Sequence, residues 1–282
     1  MLVSCEQLAA HADDPNWIVF DCRHDLMDAG KGERLYREGH IPGAFQANLD
    51  TDLSGEKTGT NGRHPLPSPA MFSAFLARHG VTSQSHVIAY DDVGGQFAAR
   101  LWWLCRWVGL ENASLLDGGV QKWIAEARAL STAIPTARPA PFAGRADPLM
   151  ISTVDELLPR IGGEEMVLID ARAPERYRGE VEPIDPVAGH IPGALNRFYK
   201  ENLHADLTFK SPEDVRKGFA DLMGGRRAGD VVHQCGSGVT ACANIFAMEY
   251  AGLGRSRLYA GSWSEWVADP TRPVATGAPS AV

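Results

Sequence analysis

Apolar positions in this chain gather in short dense runs separated by longer stretches with helical spacing. Residues 18–22, 87–91, 114–116, 167–170, 231–234 and 258–259 are rich in Val, Ile and Leu and too short for helices. Each predicts a strand buried on both faces. Helices are expected between them. Ser4 is placed to cap a helix running to residue 11. Ser68-Pro69 supplies an N-cap and a proline at the first helical position, and the helix stops at residue 78, ahead of Gly80. Residues 96–108 carry Leu101, Trp102, Leu104 and Val108 toward a core, and residues 120–128 form a further helix. Thr153 and Glu156 have capping-box spacing before Leu157-Leu158, Ser211-Pro212 opens another helix, and residues 243–250 a last one. Short strands alternating with helices define an α/β fold with parallel sheets covered on both faces.

The pattern occurs twice. Asp21-Cys22-Arg23 and His40-Ile41-Pro42-Gly43-Ala44 in the first half recur as Asp170-Ala171-Arg172 and His190-Ile191-Pro192-Gly193-Ala194. The strand ending at Asp91 matches the one ending at Cys235, and Trp123 matches Trp266, all at offsets between 143 and 150 residues. A period this long is a duplicated domain, not a solenoid. The expected division is a first domain over 1–130, a Pro/Ala-rich linker over 131–150 and a second domain over 151–282. The tail after Pro270 is small and polar and reads as loosely ordered.

Composition removes several function classes. The formal charge is −8, with no basic block, so nucleic acid is not an expected partner. No apolar run reaches the length of a membrane span, and residues 1–7 lack the features of a signal peptide, so no membrane partner is expected. The five cysteines are widely spaced and form no Cys-x-x-Cys pair or zinc-type cluster. No metal or cofactor is expected, and a reducing, cytoplasmic setting fits best.

The candidate chemistry sits at His233-Gln234-Cys235-Gly236-Ser237-Gly238-Val239-Thr240-Ala241-Cys242. Here a cysteine ends a strand, enters a Gly-rich turn and precedes a helix N-terminus. Unpaired N–H groups of such a turn favour negative charge, so Cys235 is expected as a thiolate nucleophile rather than an inert core residue. Gly236 and Gly238 let the backbone curl around the sulfur. Cys242 reads as a packing residue rather than a resolving thiol. Asp91 stands at the matching position of the first half, which therefore has no thiol there.

The paired His-Ile-Pro-Gly-Ala segments, the Asp-x-Arg strand ends and the Cys-Gly-Ser-Gly-Val-Thr-Ala loop resemble the tandem-domain rhodanese family over nearly the whole chain. The form Cys-Gly-Ser-Gly-Val-Thr is typical of its 3-mercaptopyruvate sulfurtransferases. Thiosulfate sulfurtransferases of the same architecture carry cationic residues where this chain has Gly236 and Ser237. The resemblance implies two rhodanese-like domains, each a parallel sheet flanked by helices. It also implies sulfur transfer from 3-mercaptopyruvate through a Cys235 persulfide to a thiol, thioredoxin or cyanide, with release of pyruvate. Loop residues Gly236, Gly238, Val239 and Thr240 would cradle the persulfide.

Further roles are implied by matching motifs. Ser237, His64 and Asp52 match a proton-handling Ser-His-Asp relay, although the His–Asp spacing is one residue longer than in the family. On this reading the first domain covers the site and supplies His64 and Asp52. Arg176 matches a substrate-binding arginine. The second arginine of the pattern is missing from residues 180–186, and Arg63, beside His64, is the candidate replacement. Arg172 reads as a structural tie, because Arg23 repeats it. Trp263 and Trp266 read as core, with Trp263 also a candidate wall of the pocket. Thiosulfate remains the alternative donor, and a non-catalytic sulfur-carrier or binding module the alternative of another class. A phosphatase is excluded by Ala241, which stands where such an enzyme needs an arginine.

Overall fold

The structure, a computed structural model, describes residues 1–278. The chain divides into two compact units, both discontinuous in sequence. The first comprises Met1–Gly55, Leu66–Asp147 and Leu203–Phe209, and the second Glu56–Pro65, Pro148–Asn202 and Lys210–Val282.

The strands of the first unit are β1 (Leu2–Val3), β2 (Trp17–Asp21), β3 (Phe45–Gln46), β4 (His86–Tyr90) and β5 (Ala113–Leu116). They form one parallel sheet in the order β1-β5-β4-β2-β3, with Trp17 opposite His86 and Asp21 opposite Tyr90. Its helices are α1 (Cys5–Ala10), α2 (Lys31–Glu38), α3 (Pro69–Arg78), α4 (Ala98–Trp107) and α5 (Gly119–Ala125). Ser4 and Gln7 complete a capping box on α1, and Ser68 caps α3 through the N–H of Met71. Each such cap stabilises its helix by about 1 kcal/mol. Helix α4 buries every residue but Arg106.

The second unit has β6 (Val167–Asp170), β7 (Leu195–Asn196), β8 (Val231–Gln234) and β9 (Arg257–Leu258) in the parallel order β7-β6-β8-β9. Around them lie α6 (Val154–Leu157), α7 (Pro174–Tyr177), α8 (Pro212–Met223), α9 (Ala241–Tyr250) and α10 (Ser262–Trp266). Its core includes Leu168, Tyr177, Ile191, Val232, Trp263 and Trp266. The connection from β6 leads to one side of the sheet and that from β8 to the other. The carboxyl ends of these two strands are therefore a topological switch point, the usual place for a ligand in an open α/β sheet.

The His-Ile-Pro-Gly-Ala histidines are structural in both units. His40 stacks on Tyr36 at 4.0 Å and His190 on Tyr177 at 3.8 Å, and each Nδ1 lies within 2.9 Å of that tyrosine's carbonyl oxygen.

Three expectations need correction. The stretch 131–147, expected as part of a linker between the domains, belongs to the first unit. The N–H groups of Ala140, Gly144, Arg145 and Asp147 donate to Ala77, Ser73, Val108 and Trp107, so it packs on the first unit. Residues 148–150 form a short 3-10 turn that begins the second. Residues 56–65, which carry Arg63 and His64, group with the second unit although they lie within the first repeat. Finally, the tail is tied down: Ala275 pairs with His190, Trp266 Nε1 donates to the Pro273 carbonyl, and the Gly277 N–H donates to the Arg178 carbonyl. The end of the second domain as expected from the repeat, residues 279–282, lies outside the described residues.

Candidate active site

Cys235 is the first residue after β8, 2% exposed, and its backbone is braced by the helix that follows β9. The Cys235 N–H donates to Ser262 Oγ at 3.1 Å, and that hydroxyl donates to the Tyr259 carbonyl at 2.9 Å. The N–H groups of Trp263 and Ser264 return bonds to the carbonyls of Cys235 and Gly236. Ser262 makes these contacts from a left-handed backbone, φ 54°, which costs a non-glycine residue about 1–2 kcal/mol. Gly238 has φ 74°, and a Cβ there would lie 2.2 Å from the Ala260 carbonyl oxygen, so only glycine fits.

Between Cys235 and α9 the loop leaves a set of donors open. Among the described residues, the N–H groups of Gly236, Ser237, Val239 and Thr240 have no protein acceptor. Such N–H groups gathered before a helix form a seat for negative charge. Cys242 is fully buried, with Sγ 3.4 Å from the Gly238 carbonyl oxygen, a packing position. Burial pushes the thiols of Cys5 (to about 11), Cys22 and Cys105 upward, which keeps them protonated and unreactive.

Four of the predicted side chains meet around this loop. His64 Nδ1 and Ser237 Oγ share a hydrogen bond of 2.7 Å, both residues being buried. The Arg63 backbone N–H is anchored on Ser264 Oγ at 3.0 Å. A Cβ placed on Gly236 would lie 2.9 Å from Arg63 Nη2 and 3.7 Å from both Nη atoms of Arg176. Arg63 and Arg176 thus bring two guanidinium groups to the residue beside the cysteine. Each guanidinium is a planar donor group of the kind that pairs with carboxylates and similar oxyanions.

Asp52 is placed differently. It belongs to the first unit, where its carboxylate accepts from the Asn48 N–H at 2.9 Å and from Arg78 Nη2 at 3.1 Å.

Arg172 is a structural tie, as its repeat suggests. It binds Asp170 at 2.6 Å and the Gly189 carbonyl at 2.7 Å, as Arg23 binds Asp21 and Gly39 at the same distances. It also lies over the Trp263 ring at 4.9 Å. Burial opposes its charge, but Asp170, Glu182 and the neighbouring Cys235 outweigh it and hold the guanidinium protonated.

Sequence reasoning missed two residues here, Glu182 and Asp185. They lie in the segment read only for its lack of arginine. Glu182 accepts from Arg176 at 2.7 Å and Arg172 at 3.4 Å, and Asp185 pairs with Arg63 and, at 3.3 Å, with Arg176. Burial raises the Asp185 carboxyl against the pull of Arg63, whereas the bonds from Arg176 and from backbone N–H groups lower Glu182 despite its burial.

The model of the rhodanese-like domain matches residues 4–126 and 153–269. The chain belongs to the rhodanese family, in its two-domain form. A Pseudomonas aeruginosa protein named "Probable 3-mercaptopyruvate sulfurtransferase" is 48% identical over 278 residues, covering 98% of both chains. The thiosulfate sulfurtransferase of Mus musculus is 31% identical over 257 residues, 89% of this chain and 85% of that one. Among solved structures, the 3-mercaptopyruvate sulfurtransferase from Leishmania major superposes with a TM-score of 0.83 at 30% identity, covering 94% of this chain and 74% of that one. The enzyme class is sulfurtransferase. No helix among the described residues is long and apolar enough to cross a membrane.

Proposed function

We propose that this enzyme takes sulfur from 3-mercaptopyruvate. The observation that carries the reading is the pair of guanidinium groups, Arg63 and Arg176, beside Gly236, next to a nucleophile whose loop also holds the His64–Ser237 pair. The donor carboxylate binds the two arginines, which directs its sulfur toward Cys235. The Cys235 thiolate attacks that sulfur and a new S–S bond forms. The S–C3 bond breaks, its electron pair passes into the enolate of pyruvate, and C3 then takes a proton. Ser237 and His64 carry the proton released by the donor thiol, Ser237 touching the donor and His64 holding the hydroxyl. The persulfide left on Cys235 is anionic, and the open N–H groups of Gly236, Ser237, Val239 and Thr240 stabilise it.

In the second half-reaction an acceptor thiolate attacks the outer sulfur, takes it as its own persulfide and restores the Cys235 thiolate. The acceptor is a thiol, thioredoxin or cyanide (which would leave as thiocyanate), and the kinetics are ping-pong. The five free cysteines suit a reducing cytoplasm.

The test is a donor comparison read by mass spectrometry. Treatment with 3-mercaptopyruvate should add one sulfur to the wild-type chain and none to Cys235→Ser, with kcat/KM well above that for thiosulfate. A large preference for thiosulfate would reassign the donor. No sulfur gain from either would leave a binding module.

A further inference from the structure

The charged groups of the site form one connected chain: Arg63–Asp185–Arg176–Glu182–Arg172–Asp170. Three cations meet three carboxylates, so the cluster carries no net charge. Its ends are unequal. The side chains of Asp170, Glu182 and Asp185 are at most 4% exposed, whereas Arg176 is 17% and Arg63 26% exposed. Asp185 gives one oxygen to Arg63 Nη1 and the other to Arg176 Nη2. Arg63 Nη2 and Arg176 Nη1 have no protein acceptor among the described residues, and these are atoms found near Gly236. The acid therefore grips two guanidinium groups from behind and leaves free N–H edges beside the nucleophile loop.

We propose that Asp185 is a specificity-determining positioning residue. By bridging Arg63 and Arg176 and cancelling their excess charge, it favours a singly charged keto-acid donor over a doubly charged inorganic one such as thiosulfate. The inference rests on the sulfur-transfer reading above. The physical reason is that a donor's electrostatic energy scales with its own charge times that of the cluster. With a neutral cluster, geometry decides, and a carboxylate matches the two forks. With one negative charge removed, the attraction gained by a dianion is twice that gained by a monoanion.

Asp185→Asn keeps the shape of the side chain and removes the charge. In the full chain, the ratio of kcat/KM for thiosulfate to that for 3-mercaptopyruvate should rise by about tenfold or more. The thiosulfate rate should also become more sensitive to salt. Asp185→Glu, which keeps the charge, should leave the ratio within about twofold of the wild type, a small change next to the tenfold step. If Asp185→Asn does not fold, Glu182→Gln removes one charge from the same cluster and is read in the same way. A merely structural role would lower both donors alike, and an unchanged ratio in the charge-neutral variant overturns the proposal while leaving the sulfurtransferase reading intact. A wild-type chain that takes sulfur from neither donor overturns both.

Discussion

The loops after β4 and β8 begin from the same place in two copies of one fold, and they use their N–H groups in opposite ways. In the first, the Asp91 carboxylate accepts from the N–H groups of Val93, Gly95, Phe97 and Ala98, at 2.7–3.0 Å. The residue that replaces the nucleophile fills the anion seat with its own side chain. In the second, the N–H groups of Gly236, Ser237, Val239 and Thr240 stay open beside Cys235. The first loop is also one residue longer before its helix, α4 beginning at Ala98 and α9 at Ala241. A satisfied cradle adds stability, whereas an unsatisfied one reserves its donors for a charge that arrives with the reaction. One duplicated element has been kept for each purpose.

The largest test of that contrast converts the second loop into the first. Cys235→Asp should lower turnover by at least about 10³-fold, as expected for loss of a nucleophile. It should also melt above Cys235→Asn, by about 1–2 kcal/mol of stability, because the added carboxylate finds open donors. Equal stability of the two variants in urea would show that the loop donors do not converge on position 235. The reverse experiment empties the first cradle. Asp91→Ala strands several buried N–H groups and should cost about 2–4 kcal/mol, seen as a lower urea midpoint. A loss below about 1 kcal/mol, the worth of one ordinary hydrogen bond, would mean that the carboxylate is incidental to the loop.

The smallest effect concerns the strands beneath. His233 of β8 occupies the place held by Ala89 in β4, and both are fully buried. Burial pushes the His233 pKa down to about 3, and Arg197 adds to the shift. The unfolded chain binds this proton below about pH 6.5 and the folded chain does not, so stability falls as pH drops below that value. His233→Leu should flatten the decline by about 1 kcal/mol per pH unit between pH 5 and 6.5. Urea denaturation at those two values checks it, and an unchanged slope would place the acid sensitivity elsewhere.

Much of this architecture was legible in the residues. Strands β6 and β8 and helix α3 have the bounds expected, because apolar runs and Ser-Pro caps mark both their type and their ends. The two-residue strands β1, β3 and β7 were not foreseen, since two residues carry no periodicity. Helix α2 was missed as well. Lys-Gly-Glu-Arg-Leu-Tyr-Arg-Glu buries only Gly32 and Tyr36 and has no side-chain cap, so its helicity comes from packing on the sheet. At the site, Cys235, Ser237, His64, Arg63 and Arg176 were named from motifs or proximity and fall in one unit. Asp52 falls in the other, paired with Arg78. Glu182 and Asp185 escaped notice because ion pairing depends on which chain segments meet, and a segment searched for a cation does not advertise its acids.

The grouping of residues 56–65 with the second unit has a consequence for dissecting the protein. A fragment cut at the visible repeat boundary, starting at Pro148, would retain the nucleophile, the brace at Ser262 and the acids at 182 and 185. It would lack Arg63 and His64, hence one of the two guanidinium groups beside Gly236 and the partner of Ser237. Asp185 would be left with Arg176 alone. The duplication is thus no longer separable at its seam: ten residues of the first copy's sequence pack as part of the second, and a fragment meant to keep that unit whole must splice them back in.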